Sequence, residues 1–458
     1  MGDTSTDQLL EGLARVCARA GLDTPAGLTR LTGGATMESW RFEAGAGAYV
    51  LRRAPSLEFM EGRPFGHDVE AAVIRAAKAA GVTAPVVVAE LRPEDGIGSG
   101  FVMEALSGTP NPKEILEGPD PDRLIAECAA NLAKIHTLCV EDVPDEVPVM
   151  DYRGAIAELK SQFEEAGGDR PIIALGLKWM EDNCPDPIEP VLIHGDYRMG
   201  NLLVDQEGWL TGVLDWELAH LGDYHEDLAF GCMAVWRFHR YDRPALGLSD
   251  LETYFDAYQV NGGRKVDAKR FRYWLIHRTV WWALGCLRMA KIWRSGEDRM
   301  LERVVISRRT SEQELDLLML LEEDLSASER GKKFEYFPLE ESQEDGEAID
   351  WEILVAVSEW LETLKGKIEG HDRFQLAVAR NALGIAKRAQ WNYGWDLFFS
   401  EDDSKSILKG ELTLEDFDVT RMKRFLLKKV EIDSPKYPAL TAARERWTKS
   451  VTPAKAGF

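Results

Sequence analysis

Cysteine is scarce in this chain of 458 residues. The six present are Cys17, Cys128, Cys139, Cys184, Cys232 and Cys286, and no two of them form a C-x-x-C pair. That spacing offers neither a disulfide frame nor a cysteine zinc site, and it fits reduced core cysteines of a cytoplasmic protein. Long apolar runs are missing as well: none approaches the roughly 18–20 residues that cross a bilayer. No basic stretch leads into an apolar one at the N-terminus, so no secretory signal is expected. Positive charge is in deficit: 55 Lys and Arg stand against 78 Asp and Glu, a net charge of −23. A surface of that sign repels phosphate backbones, so neither nucleic acid nor an anionic membrane is an expected partner. With 45% hydrophobic residues the chain is of ordinary globular composition, and its length suits about three units of ~150 residues.

What is present divides into a strand-rich front and a helix-rich back. Leu9, Leu10, Leu13, Val16 and Cys17 recur at helical spacing over 7–20. Three β-prone runs follow at 27–32, 38–44 and 47–53, separated by Gly33-Gly34 and Gly45-Ala46-Gly47, the pattern of antiparallel hairpins. A helix is expected over 67–80 and strands at 85–91 and 100–106. From about 121 to 330 the pattern is helical except at 191–216. There Val191–Ile193, Leu202–Val204 and Leu210–Leu214 are short apolar runs, the last two joined by a Gln206-Glu207-Gly208 turn.

Residues 335–350 hold seven acids and no base and read as a solvated linker. Beyond it, amphipathic helices are expected over 351–369, 372–391 and 414–430, the last stopped by Pro435 and Pro438. Residues 331–458 carry 20 basic and 23 acidic side chains, net −3, so −20 of the charge belongs to the first 330 residues. The tail therefore reads as a separate helical unit. The Glu-rich run at 312–323 reads as a solvated helix face.

The chemistry concentrates in His194-Gly195-Asp196-Tyr197-Arg198-Met199-Gly200-Asn201 and Leu214-Asp215-Trp216-Glu217. Transfer of a γ-phosphoryl group needs a carboxylate to orient and deprotonate the acceptor hydroxyl, and oxygen ligands for Mg²⁺. An Asp followed five residues later by an Asn, with a second Asp one hairpin further on, brings all three to one edge. Asp196, Asn201 and Asp215 have this spacing. In the front part, backbone amides around Gly33, Gly34 and Ser39 could cover the phosphates of ATP. Arg52 could pair with the α- and β-phosphates and Glu70 hold it in place. The strand ending at Glu104, Ala105 and Leu106 runs into a hinge whose free backbone groups could read adenine. The neighbouring Arg53 is an alternative to Arg52.

On these residues, the first 330 or so positions resemble the aminoglycoside phosphotransferase-like, or choline kinase-like, branch of the protein-kinase fold. The resemblance implies an α+β bilobal fold. An antiparallel-sheet N-lobe would span 1–106 and a helical C-lobe 107–334. The linker would occupy 335–350, followed by a separate all-α domain at 351–458. It also implies Asp196 as catalytic base, Asn201 and Asp215 as Mg²⁺ ligands, Arg52 and Glu70 as the phosphate-anchoring pair, and His194 and Asp227 as structural residues. Most kinases carry Lys where Arg52 stands. A DFG phenylalanine and an activation loop are absent, so protein-kinase-style switching is not expected.

Gly33-Gly34-Ala35-Thr36-Met37-Glu38, Tyr49–Pro55 and the 191–216 stretch are most similar to kinase-like domains fused to, or encoded beside, acyl-CoA dehydrogenases. That resemblance implies a hydroxyacyl-CoA acceptor and a dehydrogenase-like functional partner that eliminates the phosphate. The strip 274–309, with Trp274, Trp281, Trp282 and Trp293 among arginines, could meet CoA phosphates, as could Trp236, Arg237, His239, Arg240 and Arg243. The favoured reading of both is core tryptophans with snorkelling arginines. A strongly acidic C-lobe would instead suit a polycationic aminoglycoside. His220 and His225 read as loop residues rather than a metal pair. In the tail, Gly370–Phe374 and Ala379–Leu383 stand out without an attached chemistry.

Overall fold

The computed structural model describes residues 6–31, 37–55, 60, 63–336, 350–390 and 401–449. Strands β1 (Pro25–Arg30), β2 (Glu38–Ala44), β3 (Gly47–Ala54), β4 (Val87–Glu90) and β5 (Ser99–Glu104) form one antiparallel sheet in the order β1-β2-β3-β5-β4. Gly45, at φ 62°, permits the two-residue turn that sets Ala44 opposite Gly47.

Side chains alternate between the faces of a strand, and this decides what the sheet presents. Leu51 and Val102 pair across β3 and β5, and they share a buried cluster with Leu9, Leu13, Val16 and Cys17 of α1 (Thr6–Ala20). One residue along, Arg52 pairs with Phe101. Phe101 belongs to the other buried cluster, with Val69, Val73 and Ile74 of α2 (His67–Ala79). One face of the sheet is thus covered by α1, and the other turns Arg52 towards α2.

The rest is helical apart from two ribbons, β6 (Val191–Ile193) with β9 (His220–Gly222) and β7 (Leu202–Val204) with β8 (Leu210–Val213). No strand was expected at β9, because His220-Leu221-Gly222 is not an apolar run like those of β6 and β7. Among the described residues the tail holds five α-helices, Asp350–Glu362, Gly370–Gln390, Glu401–Leu408, Val419–Asp433 and Pro438–Trp447. Pro438, read as a stop, opens a helix instead: the first helical position needs no N–H, so proline is well placed there.

The Glu-rich run at 312–323 is not solvated. Glu312, Glu314, Asp316 and Glu322 are only 4%, 3%, 6% and 0% exposed. Their cover comes largely from the tail. Leu426, Leu427, Val430, Leu440 and Trp447 share one apolar core with Leu315, Leu317 and Leu318. Each carboxylate is met as it is covered. Glu322 receives Lys423 Nζ at 2.6 Å, Arg446 Nε at 2.7 Å and the Trp447 indole N–H at 3.0 Å. Glu312 accepts from the Ser434 hydroxyl at 2.6 Å, Glu314 pairs with Arg170 at 3.2 Å, and Asp316 accepts from Tyr437. Local periodicity cannot show this, because the partners of three of the four lie more than 100 residues on. Most of the acidic linker, 337–349, falls outside the described residues. At its start Tyr336 is buried and donates to Glu431 at 2.6 Å. We keep the division at 335–350 as a proposal; the apolar core runs across it.

Glu322→Gln leaves the buried Lys423 ammonium without its counter-charge. Urea unfolding should show a loss of about 3–5 kcal/mol. A loss under about 1 kcal/mol, as for a surface pair, would show that these cations do not secure the tail.

Candidate active site

β6 ends at Ile193, and the chain then turns back into β7 over eight residues. Two amides of the turn share one carboxylate: His194 N–H donates to Asp227 Oδ2 at 2.6 Å and Gly195 N–H to Oδ1 at 2.8 Å. Burial works to raise Asp227, but the bond to His136 at 3.3 Å and these amides outweigh it, and the carboxyl sits below its ordinary value. Gly195 is at φ 80°, and a Cβ there would lie 2.3 Å from the Leu218 carbonyl oxygen, so the turn demands glycine. Burial lowers the His194 pKa and keeps the ring neutral. Its Nε2 lies 3.0 Å from the Leu214 carbonyl, and its Nδ1 accepts from Asp196 N–H at 3.2 Å. The ring therefore ties the start of the loop to the exit of β8.

Asn201 closes the loop on itself: its Nδ2 donates to the Asp196 carboxylate at 2.6 Å and to the Asp196 carbonyl at 2.9 Å. Asp196 also accepts from Arg198 Nε at 2.8 Å. Burial pushes Asp196 up to about 6, against the pull of Arg198. Asp215 follows β8 with its backbone at φ 69°, in the left-handed region that non-glycine residues rarely adopt. Its Oδ1 accepts from Arg52 at 2.6 Å. Asn201 Oδ1 and Asp215 Oδ2 have no hydrogen-bond partner among the described residues. Two oxygen donors without partners beside a carboxylate suit a hard cation that takes its other ligands from phosphate and water.

Arg52 joins the two lobes. Its Nε lies 3.0 Å from Glu70, and its Nη2 lies 2.6 Å from Asp215 and 3.1 Å from Glu217. Arg53 turns the other way, to Glu38 at 2.7 Å and the Ile97 carbonyl at 3.0 Å. Of the two arginines, then, Arg52 meets Glu70. Burial pushes Glu70 up to about 7, against the attraction of Arg52 and with the repulsion of Asp215 and Glu217.

Ser39 lies opposite Arg52 in the β2–β3 register. Gly33 and Gly34 lie outside the described residues. Where free backbone groups were expected, the amides of Glu104 and Ala105 are already bonded, to Val86 and Ala48, each at 2.9 Å. The strand itself ends at Glu104, short of the expected 106. Leu106 rests against Gly212 of β8, at the join of the lobes.

Two residues of the cleft, Glu217 and Arg198, were not given a role from the sequence, and Arg278 was read only as part of the 274–309 strip. Glu217 accepts from both Arg52 and Arg63, the latter at 3.2 Å. Arg198 stacks on Trp236 at 4.2 Å. Arg278 pairs with Glu226, lies 5.1 Å from the Trp281 ring, and is pushed down to about 9 by burial. Arg278 and Trp281, with Pro64, Leu218 and His220, line a cavity of about 210 Å³. Arg198 and Glu217 stand inside the motifs quoted above, so their charge was a usable signal; Arg278 stood out only as one cation of the 274–309 strip. Trp274, Arg278 and Arg303 are buried, so the 274–309 strip is no continuous surface. His220 meets Glu226 at 3.2 Å and His225 meets Asp223 at 2.6 Å. Among the described residues no three of His, Cys, Asp or Glu gather as metal ligands.

A family model described as the phosphotransferase enzyme family matches residues 27–268. The chain belongs to that family, and its class is therefore phosphotransferase. It is 28% identical over 242 residues to acyl-CoA dehydrogenase family member 10 of Mus musculus, a match covering 47% of this chain and 22% of that protein. It is 28% identical over 224 residues to acyl-CoA dehydrogenase family member 11 of Gallus gallus, covering 45% and 28%. The chain thus spans about a quarter of the length of these curated relatives. A solved structure from Ralstonia eutropha, described as a candidate aminoglycoside phosphotransferase, superposes with a TM-score of 0.56 at 21% identity, covering 70% of this chain and 98% of that one. The fold is thus kinase-like: an antiparallel-sheet lobe followed by a helical one.

Asp227→Asn keeps the shape of the side chain but can accept only one of the two amides. Chemical denaturation should show a loss of about 1–3 kcal/mol; an unchanged midpoint would mean that Asp227 does not hold the turn.

Proposed function

We propose that the protein transfers the γ-phosphoryl group of ATP to a hydroxyl of a small molecule, and that the acceptor is a hydroxyacyl-CoA. The observation that carries this reading is the meeting of Asp196, Asn201 and Asp215 on one rim, with Arg52 facing them from the sheet. Asp196 takes the proton of the acceptor hydroxyl as its oxygen attacks phosphorus. Arg198 and Asn201 fix the carboxylate's orientation. Asn201 and Asp215 would hold Mg²⁺, which supplies charge neutralisation along the phosphates. Arg52, steadied by Glu70, contacts the α- and β-phosphates, which compete for it with Asp215 and Glu217. The amides near Gly33 and Gly34 with Ser39 would cover the phosphates, and the chain at Glu104 to Leu106 would border adenine.

Two things support the acyl-CoA acceptor over a polycation. The curated relatives carry acyl-CoA dehydrogenase in their names. In addition, Glu70, Asp196, Asp215, Glu217 and Glu226 each already pair with an arginine, which leaves these five acids less available to an aminoglycoside. A dehydrogenase-like partner would consume the phosphorylated product by eliminating phosphate. We place the reaction in the cytoplasm.

The test is ATP turnover with Mg²⁺ against hydroxyacyl-CoAs, the matching free acids, choline and an aminoglycoside. Asp196→Asn should cut turnover by about 10²–10⁴-fold and leave ATP binding near its wild-type value; unchanged turnover would remove Asp196 as the base. Choline or an aminoglycoside as the better acceptor would retain the kinase and discard the acyl-CoA.

The base must be ionised, and burial holds Asp196 at about 6. Turnover should therefore fall about tenfold per pH unit below that value. A rate that stays flat to about pH 5 would contradict the assignment.

A further inference from the structure

A second cavity, of about 420 Å³, opens where the Ala234–His239 loop, the start of the Thr310–Leu321 helix and the tail come together. Its cations outnumber its acids: Arg309, Arg380, Arg388 and Lys436 line it against Glu312 and Asp433. Both acids already pair with other cations. Glu312 pairs with Arg309 at 3.0 Å and accepts from Ser434, while Asp433 pairs with Arg308 and Lys429, each at 2.5 Å. Arg380 pairs with Glu362. That leaves Arg388 and Lys436, which form no ion pair with any described residue. Arg388 spends its Nε on the Ile432 carbonyl at 2.8 Å, and its two terminal nitrogens are left for another acceptor. Burial lowers the Arg388 pKa, and the attraction of Asp433 offsets this only in part.

The opposite wall is strained. Phe238 and His239 line the cavity and are consecutive non-glycine residues at φ 40° and 78°. Such conformations cost about 1–3 kcal/mol each and persist where the surroundings enforce them, often at ligand sites. The same loop reaches the catalytic centre: Val235 lines the cavity, and the next residue, Trp236, stacks on the Arg198 that bonds Asp196. Arg380 and Asn381, from the tail segment that stood out in the sequence without a chemistry, complete the lining.

We infer that this cavity binds a phosphate-bearing anion, held by Arg388 and Lys436 at the junction of the C-lobe and the tail. A planar guanidinium beside a point ammonium, with an amide at hand, suits the oxygens of a phosphate or pyrophosphate group. That group could be the phosphate end of the acceptor or a separate phosphoanion. The inference stands whether or not the acceptor is a CoA ester.

The full chain is titrated calorimetrically with CoA and, separately, with pyrophosphate, with Mg²⁺ and a non-hydrolysable ATP analogue filling the nucleotide site. Wild type is compared with Arg388→Gln and with Lys436→Glu; Lys436 is exposed, so its substitution leaves the core intact. We expect each substitution to weaken binding by about tenfold or more, equivalent to ~1.4 kcal/mol. Sensitivity with CoA alone identifies the acceptor's phosphate end; sensitivity with pyrophosphate as well identifies a general phosphoanion site. Affinities unchanged in both variants, or no binding of either probe at millimolar concentration, would overturn the inference. Turnover on the acceptor panel is scored separately, so failure of the kinase reading leaves this result distinguishable.

Discussion

One guanidinium meets carboxylates of both lobes. Arg52 rises from the middle of the sheet to meet Glu70 of its own lobe and Asp215 and Glu217 of the other. Placing three carboxylates around one mostly buried cation is tolerable only while the charges stay close, because separating any of them exposes a repulsion that burial amplifies. Arginine suits that position better than lysine would, since its fork can address several partners at once.

The loop from His194 to Asn201 is built on the same economy of groups. Asp227 holds two amides, His194 links the loop to β8, and Asn201 returns its amide to Asp196. None of these contacts needs the substrate, so the loop is shaped before any ligand arrives. Such preorganisation is what an electrostatic catalyst requires.

What could be read from the sequence was what is local. Asp196 and Asn201 are five residues apart, and the hairpin to Asp215 is short, so their convergence was visible. The choice between Arg52 and Arg53 was also latent there: β3 pairs Arg52 with Phe101, and the pleat sends alternate residues to opposite faces. The acids of 312–323 were misread because burial depends on who arrives from afar, and Lys423 and Arg446 carry no local sign of their destination. Arg278 was read as one cation of a Trp-rich strip, and its individual place shows only when Glu226 is set beside it. The glycine loop at 33–34 lies outside the described residues.

The buried acid helix also fixes an order of assembly. Glu322 and the Trp447 that covers it are 125 residues apart. During synthesis the helix from Thr310 to Leu321 leaves the ribosome long before the segment that neutralises and shields it. Closing so long a loop is slow, and the exposed apolar surface is open to misassociation meanwhile. The C-lobe therefore cannot finish its core until the chain has passed residue 447, and a polypeptide interrupted earlier presents a strip of unpaired acids and bare leucines where the finished molecule has an interior.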